Sequence, residues 1–145
     1  MRISAKCRYG IAALITLCCR ENELTSILKI SEELLISKIY LEQVFGKLKH
    51  AGVIASVKGA QGGYRLARAA SEITLADIVY ALDDGMSENS YETTAESAKE
   101  IDSVISDTFT RLDAVIKEKL SEISLESLAK KASERKNGQA YMFYI

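Results

Sequence analysis

The chain has no proline, no tryptophan, a single histidine at position 50, and three cysteines, all within the first 19 residues. Without proline, no ring forces a helix to stop or holds a linker extended. The one histidine falls late in an expected helix, and spacing assembles neither a Ser/His/Asp triad nor a metal-ligand cluster around it. The glycine run Gly59–Gly63 lacks the Gly-Lys-Ser/Thr ending of a phosphate loop and precedes a strand rather than a helix. Enzymatic chemistry is therefore not expected. Long apolar runs are missing too. Ile11–Cys19 is interrupted by Thr16 and flanked by charge, well short of the roughly 18 residues that cross a membrane. No signal-peptide organisation is visible, so the expected location is cytoplasmic.

What is present is enough for a packed core: 145 residues, 48 % apolar and 27 % charged, the size of one domain or one domain with an assembly element. Helix formers dominate, so a mostly α protein is expected. The net charge of −1 conceals an asymmetry. Residues 1–70 carry 11 Lys/Arg against 5 Asp/Glu, and residues 71–145 carry 8 against 15. A basic half beside an acidic half points to a polyanionic partner for the first. Chance clustering on solvated faces is the alternative, and charge by itself does not separate the two.

Spacing separates them. In Ser37–Ala67, Ser37 stands as a cap. Leu41, Val44, Phe45 and Leu48 then recur at helical intervals, and Gly52 follows as a left-handed stop. The opposite face carries Lys38, Ile39, Glu42, Gln43 and Gly46. A shorter helix precedes it, with Ser26 as cap and Ile27, Ile30 and Leu34 as its stripe; only Leu35-Ile36-Ser37 separates the two. Two short helices joined in this way make a helix-turn-helix, whose second member enters the DNA major groove. The period then changes: Val53, Ala55 and Val57 alternate with Ile54, Ser56 and Lys58, as in a strand. Gly59-Ala-Gln-Gly-Gly63 turns the chain, and Tyr64-Arg-Leu66 returns it. A hairpin directly after a recognition helix is a wing, and its glycine tip, flanked by Lys58 and Arg65, suits phosphate contact.

Met1–Asn22 reads as a first helix capped by Ser4, with Cys7, Ile11, Leu14 and Cys18 on one face. Arg2, Lys6 and Arg8 crowd its start, where cations oppose the helix dipole; phosphate contact accounts for them better than local stability. After the wing, Thr74-Leu-Ala-Asp77 has the form of a capping box opening a helix with stripe Leu75, Ile78, Val79 and Leu82. Asp83–Ser97 is acidic and nearly free of aliphatics, a linker or loop. Lys99–Ile123 then holds a helical stripe through Ile101, Val104, Ile105, Phe109, Leu112, Val115, Ile116 and Leu120. A stripe that long needs an apolar partner, and a second copy in a symmetric dimer supplies one. Ile101, Ile105, Phe109, Leu112 and Ile116 are the expected dimer contacts. Ser124 is expected to cap a short last helix through Leu125, Leu128 and Ala129, followed by a polar stretch over Lys130–Gln139 with a turn at Asn137-Gly138. The apolar ending Tyr141, Met142, Phe143, Tyr144 and Ile145 either folds back on the chain or serves as a linear motif with a free carboxylate.

The expected architecture is mostly α. A winged helix-turn-helix domain spans 1–82 and carries a two-stranded wing, an acidic linker spans 83–97, a dimerisation helix with a short terminal helix spans 98–133, and a tail spans 134–145.

Three stretches together, Arg2-Ile-Ser-Ala-Lys-Cys-Arg-Tyr9, Tyr40-Leu-Glu-Gln43 and Lys58-Gly-Ala-Gln-Gly-Gly-Tyr64, resemble the Rrf-two family of bacterial winged-helix regulators over essentially the whole chain. The resemblance implies a transcriptional repressor that binds a palindromic operator as a homodimer. It assigns Lys6, Arg8 and Tyr9 to the DNA backbone. Ser37, Lys38, Tyr40, Glu42 and Gln43, with Lys47 on the same helix, fall at base edges or phosphates. Lys58, Gly59, Gln61, Gly62, Gly63 and Arg65 fall to the wing. Glu42 can accept from cytosine N4 and Gln43 can pair with adenine; Tyr40 and Phe45 fit the core equally well, and Phe45 is assigned to it. Cys7 departs from the glycine that the family often has there, which puts the tight packing at that position in question.

One branch of the family holds an iron–sulfur cluster through three cysteines between the wing domain and the long helix. Here no cysteine follows Cys19, so no such cofactor is expected. The AYMFYI ending is instead similar to the branch that represses cysteine and sulfur metabolism. That likeness implies O-acetylserine thiol-lyase as a co-repressor docking on Tyr141–Ile145, released by O-acetylserine. The alternative is direct redox sensing through Cys7, or through Cys18 and Cys19. Lys6 and Arg8 beside Cys7 would lower its pKa, whereas its place on an apolar face argues for a core thiol.

Overall fold

The computed structural model describes residues 3–21, 23–83 and 96–142. Six helices and one hairpin are described: α1 (Ala5–Cys18), α2 (Ile27–Leu34), α3 (Lys38–His50), β1 (Ile54–Val57), β2 (Gly63–Leu66), α4 (Leu75–Leu82), α5 (Lys99–Ser121) and α6 (Leu125–Met142), with a single 3-10 turn at Glu96–Ala98 before α5.

Local chemistry sets the helix starts. Ser4, Ser26 and Ser37 each turn a side-chain oxygen onto a backbone N–H three residues on, meeting donors that have no partner inside the helix. At α4 both halves of the capping box form. The Thr74 N–H donates to Asp77 at 2.8 Å and the Asp77 N–H donates to the Thr74 hydroxyl at 3.2 Å. Gly52 is left-handed (φ 72°) directly after the α3 cap.

The core lies between α1, α3, α4 and the start of α6. Ala13, Leu14 and Leu17 of α1 meet Leu41, Val44, Phe45 and Leu48 of α3, Ile78 and Leu82 of α4, and Leu125 of α6. At Gly10 a Cβ would come within 2.3 Å of Leu82 Cδ1, so glycine permits the close crossing of α1 and α4. The starts of α4 and α6 are stitched by Leu75 N–H to Ile123 O and Leu125 N–H to Ile73 O, both 2.8 Å. The base of α5 docks on α1 and α4 through Ile116 and Leu120 against Cys7, Ala76 and Val79. The Tyr80 hydroxyl donates to Asp113 at 2.9 Å, and the Lys117 ammonium sits 5.3 Å over the Tyr80 ring.

Three expectations need correction. The first helix is Ala5–Cys18 rather than Met1–Asn22, because the chain turns at Cys19 and Glu21 takes a positive φ of 41°. Val53 and Ile54 are both buried rather than alternating, since Val53 still belongs to the α3 turn through its N–H to Leu48 O. The last helix is not short: it passes through Asn137-Gly138 to Met142. Lys130–Lys136 is rich in helix formers, and one Gly costs only about 1 kcal/mol in a helix, too little to end it without proline. The acidic stretch from 84 to 95 lies outside the described residues.

Candidate nucleic-acid interface

The recognition helix turns its two faces as its spacing requires. Leu41, Val44, Phe45 and Leu48 are buried, while Lys38, Ile39, Glu42, Gln43 and Gly46 are exposed. Lys38 and Glu42 pair across one turn at 3.6 Å, so the two charges hold one another beside the free amide of Gln43. Ser37 is exposed, and its oxygen accepts from the Tyr40 N–H at 3.4 Å, which fixes where α3 begins. Tyr40 is half-buried against the core. Its ring meets Tyr9 of α1 edge-on at 5.7 Å, and this contact aligns the start of α1 with α3. Arg8 and Tyr9 are exposed, Lys6 and Lys47 are half-buried, and Arg2 lies outside the described residues.

The wing pairs Ile54 with Leu66, Ala55 with Arg65, Ser56 with Tyr64 and Val57 with Gly63. Its tip exposes Lys58, Gly59 and Gln61. Gly62 closes the turn by donating to Gly59 O at 3.0 Å, and a Cβ on it would lie 2.1 Å from Val57 O. Glycine is therefore the residue this tip can accommodate. Tyr64 packs edge-on against Phe45 at 4.8 Å, which joins wing to recognition helix.

Sequence spacing gave no hint of Thr25. It is buried, and it exchanges two backbone hydrogen bonds with Tyr64, at 3.0 and 2.8 Å, adding a one-residue third rung to the wing sheet. Arg65 stands away from the tip. Across from Ala55, it lines a cleft at the wing base with Leu17, Cys18, Glu21 and Arg68, because the register points odd-numbered β2 residues off the Phe45 side. Arg20 pairs with Glu33, clamping the end of α1 to α2.

Family comparison agrees with this geometry. Residues 3–131 match the Rrf2, or Rrf-two, family, described as iron-dependent transcriptional regulators. The chain belongs to the Rrf2 family. It is 35 % identical over 146 residues to the HTH-type transcriptional regulator CymR of Bacillus subtilis, covering all of both chains. The solved structure of CymR, titled the global cysteine regulator of B. subtilis, superposes with a TM-score of 0.69 at 33 % identity, over 90 % of this chain and 98 % of that one. T. potens IscR gives 0.69 at 32 % identity over 99 % and 97 %. These Rrf2 relatives are named as regulators and not as enzymes, and the fold is theirs: mostly helical, with a two-stranded wing.

The thiols lie at the two ends of α1. Cys7 is fully buried, and burial, with the Asp83 carboxylate second, pushes its pKa up to about 11. The electropositive setting that Lys6 and Arg8 suggest is corrected by the helix itself, since neighbours in sequence point about 100° away from the inward face. Cys18 is half-buried and also raised, by burial first and then by Cys19 and Glu126. Cys19 is exposed, with its sulfur 3.8 Å from the Ser133 hydroxyl.

The apolar stripe of α5 is bare. Ile101, Val104, Ile105, Phe109, Leu112 and Val115 are 51–66 % exposed. Ile116, expected on the dimer face, is half-buried in its own chain, because the last turns of α5 already dock on α4. The partner-docking expectation at Tyr141, Met142, Phe143, Tyr144 and Ile145 lies outside the residues whose side chains are described. No described helix is long and apolar enough to cross a membrane.

Proposed function

We propose that this Rrf2 regulator is a repressor that binds a palindromic operator as a homodimer in the cytoplasm and controls cysteine and sulfur metabolism genes. One observation carries the reading: the exposed face of α3, with Lys38, Glu42 and Gln43, and the wing tip, with Lys58 and Gln61, are held on one rigid frame by Tyr40 on Tyr9 and Phe45 on Tyr64. Base-reading groups on a helix beside cations and backbone N–H groups on a hairpin are what a duplex requires. The bare α5 stripe supports the homodimer, because a second copy would cover it and set two recognition helices on two half-sites. The target genes are supported by the likeness to CymR over the full length of both chains.

The reading is cluster-free. The iron dependence in the family description calls for thiolate ligands, and the donors here do not fit it. Cys7 is buried with a raised pKa, and Cys18 lies eleven residues along the same helix, about 16 Å away at 1.5 Å per residue. O-acetylserine thiol-lyase is the proposed co-repressor, docking on the tail Tyr141–Ile145.

Fluorescence anisotropy on DNA from upstream of a cysteine-biosynthesis gene, with and without the lyase, tests the proposal. Tighter binding with the enzyme, reversed by O-acetylserine and lost on deletion of Tyr141–Ile145, is the expected result. Specific binding indifferent to the enzyme removes the co-repressor, and binding no stronger than to random DNA removes the operator.

A further inference from the structure

We propose that Ile39 is a specificity residue that reads the 5-methyl group of one thymine in each half-site; the inference rests on the DNA-binding reading above. The buried stripe of α3 uses Leu41, Val44, Phe45 and Leu48, and Ile39 has no place in it: it is 69 % exposed. A β-branched residue loses rotamer freedom in a helix, and at this exposure it gains little packing in return. Its position is specific. It is the second residue of the recognition helix, and helices of this kind meet base edges with their N-terminal residues. Glu42 and Gln43 follow at three and four residues, so Ile39 shares their face. The Lys38–Glu42 pair at 3.6 Å joins side chains one residue before it and three after it, and neither covers the isoleucine, which stays exposed.

The major groove narrows the ligand. Every base edge there presents hydrogen-bonding groups, and the only apolar one is the methyl of thymine. An isoleucine against a cytosine amine or a guanine carbonyl would strip water from a polar group and give nothing back, a penalty that turns contact into discrimination. Glu42 and Gln43 supply hydrogen-bond readout, and Ile39 adds an apolar position one turn earlier.

The test starts from duplexes selected from random sequence with the full chain, then replaces each thymine by deoxyuridine, which removes only the methyl. One methyl moved from water into an apolar contact changes affinity about fourfold. The expected result is a single symmetric thymine position whose replacement weakens binding about fourfold in one half-site and about fifteenfold in both. Ile39→Ala should bind the thymine and uracil duplexes equally, with Ile39→Val intermediate. Sequence-specific binding with no methyl-sensitive position, or the same methyl loss in Ile39→Ala, overturns the inference and leaves the DNA-binding reading standing. Failure to select any preferred duplex overturns both.

Discussion

The bare face of α5 makes a quantitative prediction. Phe109 and Leu112 are each a little over half exposed in the chain. Burying a large apolar side chain completely is worth about 1.5–3 kcal/mol, so covering the exposed part of each contributes about 1 kcal/mol. The double substitution Phe109→Ala, Leu112→Ala removes four such side chains from a two-fold interface, about 4 kcal/mol, and the dimer dissociation constant should rise about a thousandfold. Both side chains lie outside the core clusters and are mostly exposed in the monomer, so the monomer should keep its helix content. Ile116 and Leu120, which dock α5 on α4, are untouched. Sedimentation equilibrium reads the constant and far-UV circular dichroism at 20 °C reads the fold. A dimer constant within threefold of the original, with helix content intact, would refute the assignment of α5 as the interface.

Other outcomes follow from single sites. Leu35 caps α2 in the left-handed region at φ 54° and is 91 % exposed; non-glycine residues lose about 1–2 kcal/mol there, so Leu35→Gly should raise the urea midpoint by the equivalent of about 1 kcal/mol. Alkylation at pH 8 followed by mass spectrometry should modify Cys19 first, Cys18 slowly and Cys7 only on unfolding, since a thiol with a pKa of about 11 has roughly a hundredfold less thiolate than an ordinary one. Rapid modification of Cys7 in the folded protein would revive direct redox sensing. Burial alone would raise the pKa of Asp77, but hydrogen bonds from Thr74 and the Arg68 guanidinium, 3.1 Å away, outweigh it and hold the carboxyl below its ordinary value. Its stabilisation is therefore full above about pH 4 and lost as the pH falls through the lowered pKa. Asp77→Asn should flatten that acid limb in chemical denaturation, and an unchanged limb would count against the capping box as its source.

What the sequence revealed was mostly local. Ser4, Ser26, Ser37 and the Thr74–Asp77 box are contacts within three residues, so spacing alone could expose them. The buried stripe of α3 was legible for the same reason. The partners that fix the interface were not, because Tyr9 on Tyr40, Phe45 on Tyr64 and Thr25 against Tyr64 join elements distant in the chain. The burial of Cys7 was legible too: its helical spacing with Ile11, Leu14 and Cys18 outweighs the flanking Lys6 and Arg8, since a helix sends adjacent residues to different faces. The end of α6 was hidden because Asn137-Gly138 is a turn signal only when the flanking residues do not favour helix strongly enough to run through it.

The most direct test of the central claim is a salt titration of binding to operator and random DNA by the wild-type chain, Gln43→Ala and Lys58→Ala. Gln43→Ala should lower the operator-to-random affinity ratio by about tenfold or more while keeping the salt slope, since a base contact is worth about 1–3 kcal/mol of discrimination. Lys58→Ala should keep the ratio and make the slope shallower by about one per protomer. If Gln43→Ala instead weakens operator and random DNA equally, α3 does not read the sequence and the assignment of this face is wrong.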